Sequence, residues 1–335
     1  MSHYAAPRVA VVVVSYNTRD LLRQCLQSVT TAELPTQVVV VDNASRDGSA
    51  EMVRREFPHV DLIVNRENRG FAAATNQGLR HALTPRTPLW SLADATDAAA
   101  EAEQPCYLLL LNPDACLRAG ALQAMVEFMD AHPRVGCVGA RLLYPDGRPQ
   151  PAAWRFPTLW MTLFDLFPPR GPLLGRLYFS PLNGRYREEG GREPFPIDHP
   201  LGAAMLIRRT TLEEVGLFDE GYWMYAEEVD WCYRCRQAGW AIWQVPQAEV
   251  IHVAGASARQ FRAQSFEALH RSRMRFFRKH YGERAWRRHA RVIRAGMLWS
   301  TLATWTGWLR RRRASDEIRA RLWSYGRVLR LTYEA

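Results

Sequence analysis

The stretch "RVAVVVVSYN", residues 8–17, decides the fold. An unbroken β-branched run without polar alternation is the pattern of a strand buried on both faces, as in the interior of a parallel sheet. Outward from it, Leu21, Leu22, Cys25, Leu26 and Val29 recur at helical spacing, and "TQVVVVDN" (36–43) is a second such run, giving β-α-β. The rhythm continues with a helix opened by "DGSAEMVRREF", a strand "VDLIVN" (60–65), a helix around residues 72–83, a strand "CYLLLLN" (106–112) and a helix over 119–131. Such alternation predicts an α/β fold: an open, doubly wound, mostly parallel sheet with helices on both faces. Ligands of these sheets bind outside the carboxyl ends of the strands, where strand order reverses.

Residues 84–105 interrupt the rhythm with Pro, Ala and acids and read as a surface insertion without chemistry. Residues 145–200 are rich in Pro, Gly and aromatics; "WRFPTLWMTLFDLFPP" reads as loop or short helix, a region suited to shaping an acceptor. Regularity returns with a strand "GAAMLIRR" (202–209), the stretch "FDEGYWMYAEEVDWCYRCRQAGW" (218–240), which ends as a helix at Gly239, and a strand "AIWQV" (241–245). A body of residues 1–254, in halves 1–140 and 141–254, is followed by a helical, Arg-rich extension, 255–335.

With 335 residues, 47% hydrophobic and 23% charged, the composition is that of a soluble globular protein. The net charge of +10 is unevenly spread: residues 255–335 hold 20 Lys+Arg against 5 Asp+Glu, or +15, which leaves −5 for the rest. A basic tail can meet nucleic acid, an anionic membrane surface or an acidic substrate. Its apolar part, "AGMLWSTLATWTGWL" (295–309), is shorter than the ~20 residues of a spanning helix. It suits either an amphipathic segment at an anionic interface or packing on the protein's own core. The six cysteines are scattered, the Cys232/Cys235 pair falls inside a helical pattern, and no basic region precedes the first apolar run, so a reducing, cytoplasmic setting is expected.

The first βα turn reads "SYNTRD" and lacks the glycine-rich pyrophosphate cradle of a dinucleotide-binding domain, which argues against a dehydrogenase. Asp42 ends the second strand and Asp114 follows the fourth, so both carboxylates are expected at one crevice. Acids at that place would repel nucleic-acid phosphates unless a cation intervened, and nucleic acid is not an expected partner.

"VVVVSYN", "VVDNASRDGS", "NRGFAAATNQG", "LLLLNPD", "FDEGYWMYAEEVDWCYRCRQAGW" and "HVAGASAR" stand in the order and spacing of family 2 glycosyltransferases. Over residues 7–282 the chain resembles that family, and most of all its bacterial rhamnosyltransferase-type branch. The resemblance implies a GT-A fold, with 1–140 the nucleotide-sugar-binding half and 141–254 the acceptor and catalytic half.

It also implies roles. Asp42 accepts a hydrogen bond from N3–H of uracil or thymine, with Ser15 and Tyr16 near the base. Cytosine offers no such donor, so the donor is a UDP- or dTDP-sugar. Asn68, Gly70 and Asn76 lie beside the nucleotide sugar, with Gly70 allowing close backbone approach. "NPD" takes the place of a DxD motif, with Asn112 where the first acid would be. Asp114, completed by His252, holds a divalent cation, Mn²⁺ or Mg²⁺, on the diphosphate. Glu228 matches the family's catalytic base, where an Asp is usual, and Glu227 competes with it because helical spacing turns Glu228 partly away from Asp230, Trp231 and Arg234. The implied reaction is an inverting displacement that moves a sugar, rhamnose from dTDP-rhamnose first among them, to a glycan or lipid-linked acceptor in cell-surface polysaccharide synthesis. A UDP-sugar transferase (galactofuranose, glucose or N-acetylglucosamine) and an inactive sugar-nucleotide binder are the alternatives. With the tail on lipid, the protein would be peripheral on the inner face of the plasma membrane.

Overall fold

A computed structural model describes residues 8–84, 105–169, 171, 174–186, 191–255, 260, 262–311 and 316–333. The expected insertion therefore lies outside the described residues, apart from positions 84 and 105 at its edges. By its internal contacts the chain divides into two compact units. The first is Met1–Trp154, Glu188–Gly221 and Glu228–Ser257; the second is Arg155–Arg187, Tyr222–Glu227 and Ala258–Ala335.

The first unit is built on the β-branched run of residues 8–17. Strand β1 (Val9–Ser15) is buried at every residue. It pairs in parallel with β2 (Thr36–Asp42) on one side and β4 (Tyr107–Leu111) on the other, while β3 (Asp61–Val64) extends the sheet beyond β2. Helix α1 (Arg19–Thr30) buries Leu22, Cys25, Leu26 and Val29 of the helical stripe read from the sequence, while Leu21 is only partly buried. After α2 (Ser49–Glu56), helix α3 (Phe71–Leu83) packs on the sheet through Gly78, where a Cβ would overlap Val12 Cγ1.

The rest of the sheet turns mixed. Short β5 (Ala115–Leu117) and helix α4 (Ala121–Ala131) lead to β6 (Val135–Leu143), which carries the two-residue β7 (Pro149–Gln150) on its edge. Two further short strands, β8 (Ala153–Trp154) and β10 (His199–Pro200), pair apart from the main sheet, while β9 (Phe195–Pro196) pairs with β12 (Ala241–His252). Strand β11 (Ala204–Arg208) runs antiparallel between β4 and β6, and β12 lies parallel to β6. Among the described residues the main path is β3-β2-β1-β4-β11-β6-β12-β5. Strand order thus reverses around β1 and β4, where the strand-end rule expects a ligand.

One strand is longer than read. β12 continues through a register shift between Val245 and Glu249 as far as His252, because Pro246 sits in an irregularity of the strand rather than at its end. Helix α6 (Arg209–Val215) follows β11, and α7 (Glu227–Gln237) is the predicted acid-rich helix. Cys232 and Cys235 are buried in it as free thiols, so the CxxC pair is part of the packing.

The second unit is helical. Thr158 caps α5 (Leu159–Leu166) through its hydroxyl, which accepts from Met161 N. The long helix α8 (Arg262–Arg311) breaks at Gly282 (φ 80°, ψ 176°), a backbone conformation that favours glycine. Beyond the break it buries Trp286, Ala290, Ile293 and Met297, and a Cβ on Gly296 would come 2.7 Å from Leu166 Cδ1. His289 stacks on Phe277 and bonds Thr162 at 3.0 Å. Helix α9 (Asp316–Leu331) closes the unit, with Arg294 bonded to the Thr332 carbonyl at 2.9 Å.

Candidate active site

The register places the strand-end acids on one edge of the first unit. Ser15 pairs with Asp42 across β1 and β2, and Val13 pairs with Leu111 across β1 and β4. Asp42 and the "NPD" turn thus emerge from the carboxyl ends of strands flanking β1, about 10 Å apart at the ordinary strand spacing.

At Asp42 the loops are laced together. Asn17 donates its backbone N–H to Ser45 Oγ and accepts from Arg46 N, and Arg19 N donates to Asp47. Ser45 N donates to Asp42 Oδ1 at 2.9 Å. The other oxygen, Oδ2, is buried without a hydrogen-bond partner. Burial raises this carboxyl above its ordinary range, and the Ser45 bonds partly oppose it. An acceptor left open at a rigid rim suits a single flat N–H donor. Ser15 is fully buried with its hydroxyl on Thr18, and Tyr16 beside it is half-buried.

The amide residues expected at the nucleotide sugar prove to be tied to the protein itself. Asn68 Oδ1 accepts from Asn43 and from Gly70 N, while Asn43 also donates to the Gly70 carbonyl. Gly70 (φ 82°, ψ 170°) starts α3 in a conformation that a β-carbon would strain. Asn76 donates to the Phe218 carbonyl and to Glu220 Oε1, and accepts from Phe218 N. It is a clip between α3 and the segment leading to the acid-rich helix.

At the "NPD" end, β5 and β12 pair with Ala115 opposite His252, which carries Asp114 and His252 to the same place. His252 Nε2 lies 3.3 Å from Asp114 Oδ1, and both side chains are 6% exposed. Nε2 makes no hydrogen bond, while Nδ1 is 2.9 Å from Gln150 Oε1. An amide oxygen can only accept, so this contact puts the proton on Nδ1 and leaves the Nε2 lone pair beside the carboxylate. Two ligand atoms at adjacent positions of a divalent cation of this size are about 3 Å apart, so the pair fits one. Among the described residues no group of three or more His, Cys, Asp or Glu converges as a complete metal cage. Further ligands would have to come from elsewhere, as diphosphate oxygens and water do.

The acid-rich helix separates the two competing glutamates. Asp230 is buried on Arg234 at 2.9 Å, Arg234 also donates to the Val215 and Leu217 carbonyls, and Trp231 donates to the Gly216 carbonyl. Those residues hold the helix in place. Glu227 is buried and is grouped with the second unit, whereas Glu228 belongs to the first. Glu228 lies against Gly202, where a Cβ would be 3.5 Å from its Cγ. The next residue, Ala203, accepts at its carbonyl from Asn112 N at 2.9 Å. The "NPD" turn and Glu228 therefore flank the same short stretch of chain. Glu228 Oε2 is buried without a partner, and burial lifts its carboxyl to about 7. Asn112 contributes its backbone here, and its carbonyl also accepts from Cys25 Sγ.

Backbone strain marks the same positions. The non-glycine residues with positive φ are Asn17, Ala44, Tyr225, Ala226 and Ala254, among the described residues. Each lies within two positions of Tyr16, Asp42, Glu227 or His252, and such strain persists where the surroundings enforce a geometry. Gln150 and Gly202 escaped the sequence reading: a lone Gln in a Pro-rich stretch and a Gly ahead of a strand carry no motif.

Known proteins resemble the chain in sequence and in fold. The sequence model of "Glycosyl transferase family 2" matches residues 10–216. The N-acetylglucosaminyl-diphospho-decaprenol L-rhamnosyltransferase of Mycobacterium tuberculosis (strain ATCC 25618 / H37Rv) is 31% identical over 268 residues, covering 78% of this chain and 81% of the relative. The rhamnosyltransferase WbbL of Escherichia coli (strain K12) is 22% identical, over 80% of this chain and 92% of its own. Among solved structures, the mannosyltransferase PcManGT from Pyrobaculum calidifontis, in complex with GDP-Man and Mn²⁺, superposes with a TM-score of 0.51 at 19% identity. It covers 99% of this chain and 87% of that one, and shares the GT-A fold.

Proposed function

The chain belongs to glycosyl transferase family 2, and on that footing we propose that it moves rhamnose from dTDP-rhamnose to a hydroxyl of a glycan or lipid-linked acceptor in cell-surface polysaccharide synthesis. The observation that carries the chemistry is Glu228: a carboxyl raised to about 7 by burial, with its Oε2 buried and without a hydrogen-bond partner, beside the chain that also bonds the "NPD" turn. A base near neutrality is matched to removing a proton from a sugar alcohol. With Glu228 as base, the acceptor oxygen gives its proton to Oε2 and bonds the anomeric carbon as the bond from that carbon to the diphosphate breaks. The electron pair leaves with the diphosphate. Attack from the face opposite the leaving group inverts the carbon.

Asp42 Oδ2 accepts N3–H of the pyrimidine, with Ser15 and Tyr16 framing the base. Asn68 and Asn76 act on the donor site indirectly, by fixing the Gly70 turn and the 218–220 segment. Asp114 and His252 are the residues that would hold Mn²⁺ or Mg²⁺, and Asn112 positions the turn through its backbone. When bound, the cation neutralises charge gathering on the departing diphosphate.

Asp42 favours a second reading equally in one respect: uracil offers the same N3–H as thymine. A UDP-sugar is therefore the alternative donor. Thermal melting with a panel of dTDP- and UDP-sugars, with and without Mn²⁺, separates the two, since a ligand of the folded state raises the melting temperature with occupancy. The expected result is the largest rise with dTDP-rhamnose plus Mn²⁺. No rise with any pyrimidine diphospho-sugar would remove the proposal, and a product with retained configuration would remove the mechanism.

A further inference from the structure

We propose that the C-terminal half of α8 lies on an anionic lipid bilayer, its Leu298, Trp299, Leu302 and Trp305 side chains in the interface and the surrounding arginines on the headgroup phosphates. The surface is independent of the donor assignment.

The first observation is where the large apolar side chains are exposed. Leu298 (56%), Trp299 (57%), Leu302 (57%) and Trp305 (52%) fall within two turns of one helix. Residues 298, 302 and 305 form a single stripe at helical spacing, and Trp299 borders it. In the turns before it, a neighbouring face of the same helix buries Trp286, Ala290, Ile293 and Met297 within the second unit. A helix with one face buried in a soluble protein ordinarily turns polar residues outward. This one instead turns four large apolar side chains outward, which water alone does not favour.

Charge identifies the occupant. Traced back along the helix, the exposed stripe continues through Arg291 and Arg287. On the next helix, Trp323 is 52% exposed and stands between exposed Arg319, Arg327 and Arg330 at i−4, i+4 and i+7, with the Arg327 guanidinium 4.9 Å over the indole. Residues 255–335 carry +15. A second copy would bring an equally basic tail against this one and be repelled. An anionic bilayer attracts each arginine and accepts tryptophan and leucine at the headgroup boundary. Among the described residues no helix is long and apolar enough to cross a membrane, so the contact is with the interface.

The full-length chain is floated with vesicles of phosphatidylcholine with and without phosphatidylglycerol. The wild type is expected to float with the anionic vesicles, to float less with phosphatidylcholine alone, and to be released by salt. Leu302→Asp/Trp305→Asp should lower the bound fraction about ten-fold, with an unchanged melting curve and unchanged transfer to a water-soluble acceptor. Leu182→Asp, at an equally exposed leucine outside the stripe (51%), should float as the wild type does. Trp299→Ser gives a milder loss and serves where the double variant melts early. Failure of the wild type to float with anionic vesicles overturns the proposal. So does equal flotation of wild type and double variant, or a double variant that loses only dimer mass by light scattering.

Discussion

The two ends of the site treat their polar groups differently. Around Asp42, Asn17 bonds Ser45 and Arg46, Asn43 bonds Asn65 and Asn68, Asn65 bonds Gln77 of α3, and Asp47 accepts from Arg19 and Ser49, while one carboxylate oxygen is left open. Around the "NPD" turn, Glu228 Oε2 and His252 Nε2 are both buried without hydrogen bonds. A buried polar atom left unpaired destabilises the fold by about 1–3 kcal/mol. Under the proposed function, the first end is a finished frame with one atom open to read a flat base. The second would hold its groups ready for partners that arrive with the substrates, at the expense of stability.

The largest effect should come from the second end. Glu228→Gln removes the proton acceptor and keeps the volume, so turnover should fall by about 10²–10⁴-fold, while the donor still raises the melting temperature. In the wild type, kcat/KM should climb with pH through about 7 as Glu228 loses its proton. Stability runs the other way. The folded state holds this proton more tightly than the unfolded chain, whose value is near 4.5, so the stability is fully present below that pH and is lost as pH rises through about 7. The Gln variant does not ionise, and above pH 7 it should melt higher than the wild type; at pH 4 the difference should shrink. Near-normal turnover of Glu228→Gln would break the contrast between the two ends, as would a stability difference that ignores pH.

A smaller and different effect is expected at the first end. Asp42→Ala removes one hydrogen bond to a charged acceptor, about 1.5–3 kcal/mol, and should weaken donor binding about 10- to 100-fold with kcat at saturation little changed. Asp42→Asn keeps a carbonyl oxygen and should fall between. A collapse of kcat with unaltered donor binding would mean that Asp42 does chemistry instead of reading a base.

Much of this frame was legible because burial on both faces leaves an unmistakable mark: β1, β2 and β4 lack polar residues except at their ends, and the ends are where the acids stand. The strand-end rule then brought Asp42 and Asp114 to one edge without any knowledge of the loops. What the chain does over long separations was illegible. Asn76 finds its partners 142 and 144 positions away, and His252 finds Gln150 at 102, so no local pattern announces that the first is a clip and the second has a fixed tautomer. The second half of β12 was hidden by Pro246, whose lack of an N–H argues against a strand unless the ladder is already irregular there. The basic tail was plain from composition. Which of its faces is wet was not, because Leu, Trp and Arg recur too densely for spacing to choose.

The finest test concerns how far the open groups of the second end depend on closed ones. Gln150 is buried on the short edge strand β7, and its oxygen holds the His252 Nδ1 proton. Gln150→Leu keeps the bulk and removes that acceptor, so His252 is free to move its proton to Nε2 and donate it to Asp114, 3.3 Å away. That tautomer has no lone pair at Nε2 to offer a cation beside Asp114. Outer partners of this kind change metal affinity by 10- to 100-fold; a peripheral amide should lie at the low end, about 10-fold weaker Mn²⁺ binding by electron paramagnetic resonance titration. Gln150→Glu, which still accepts from Nδ1, should restore the affinity. A general loosening of the fold would weaken binding in both variants alike, so the split between Leu and Glu distinguishes a held tautomer from lost packing. Equal affinity in wild type and Gln150→Leu would show that His252 is oriented by its strand alone.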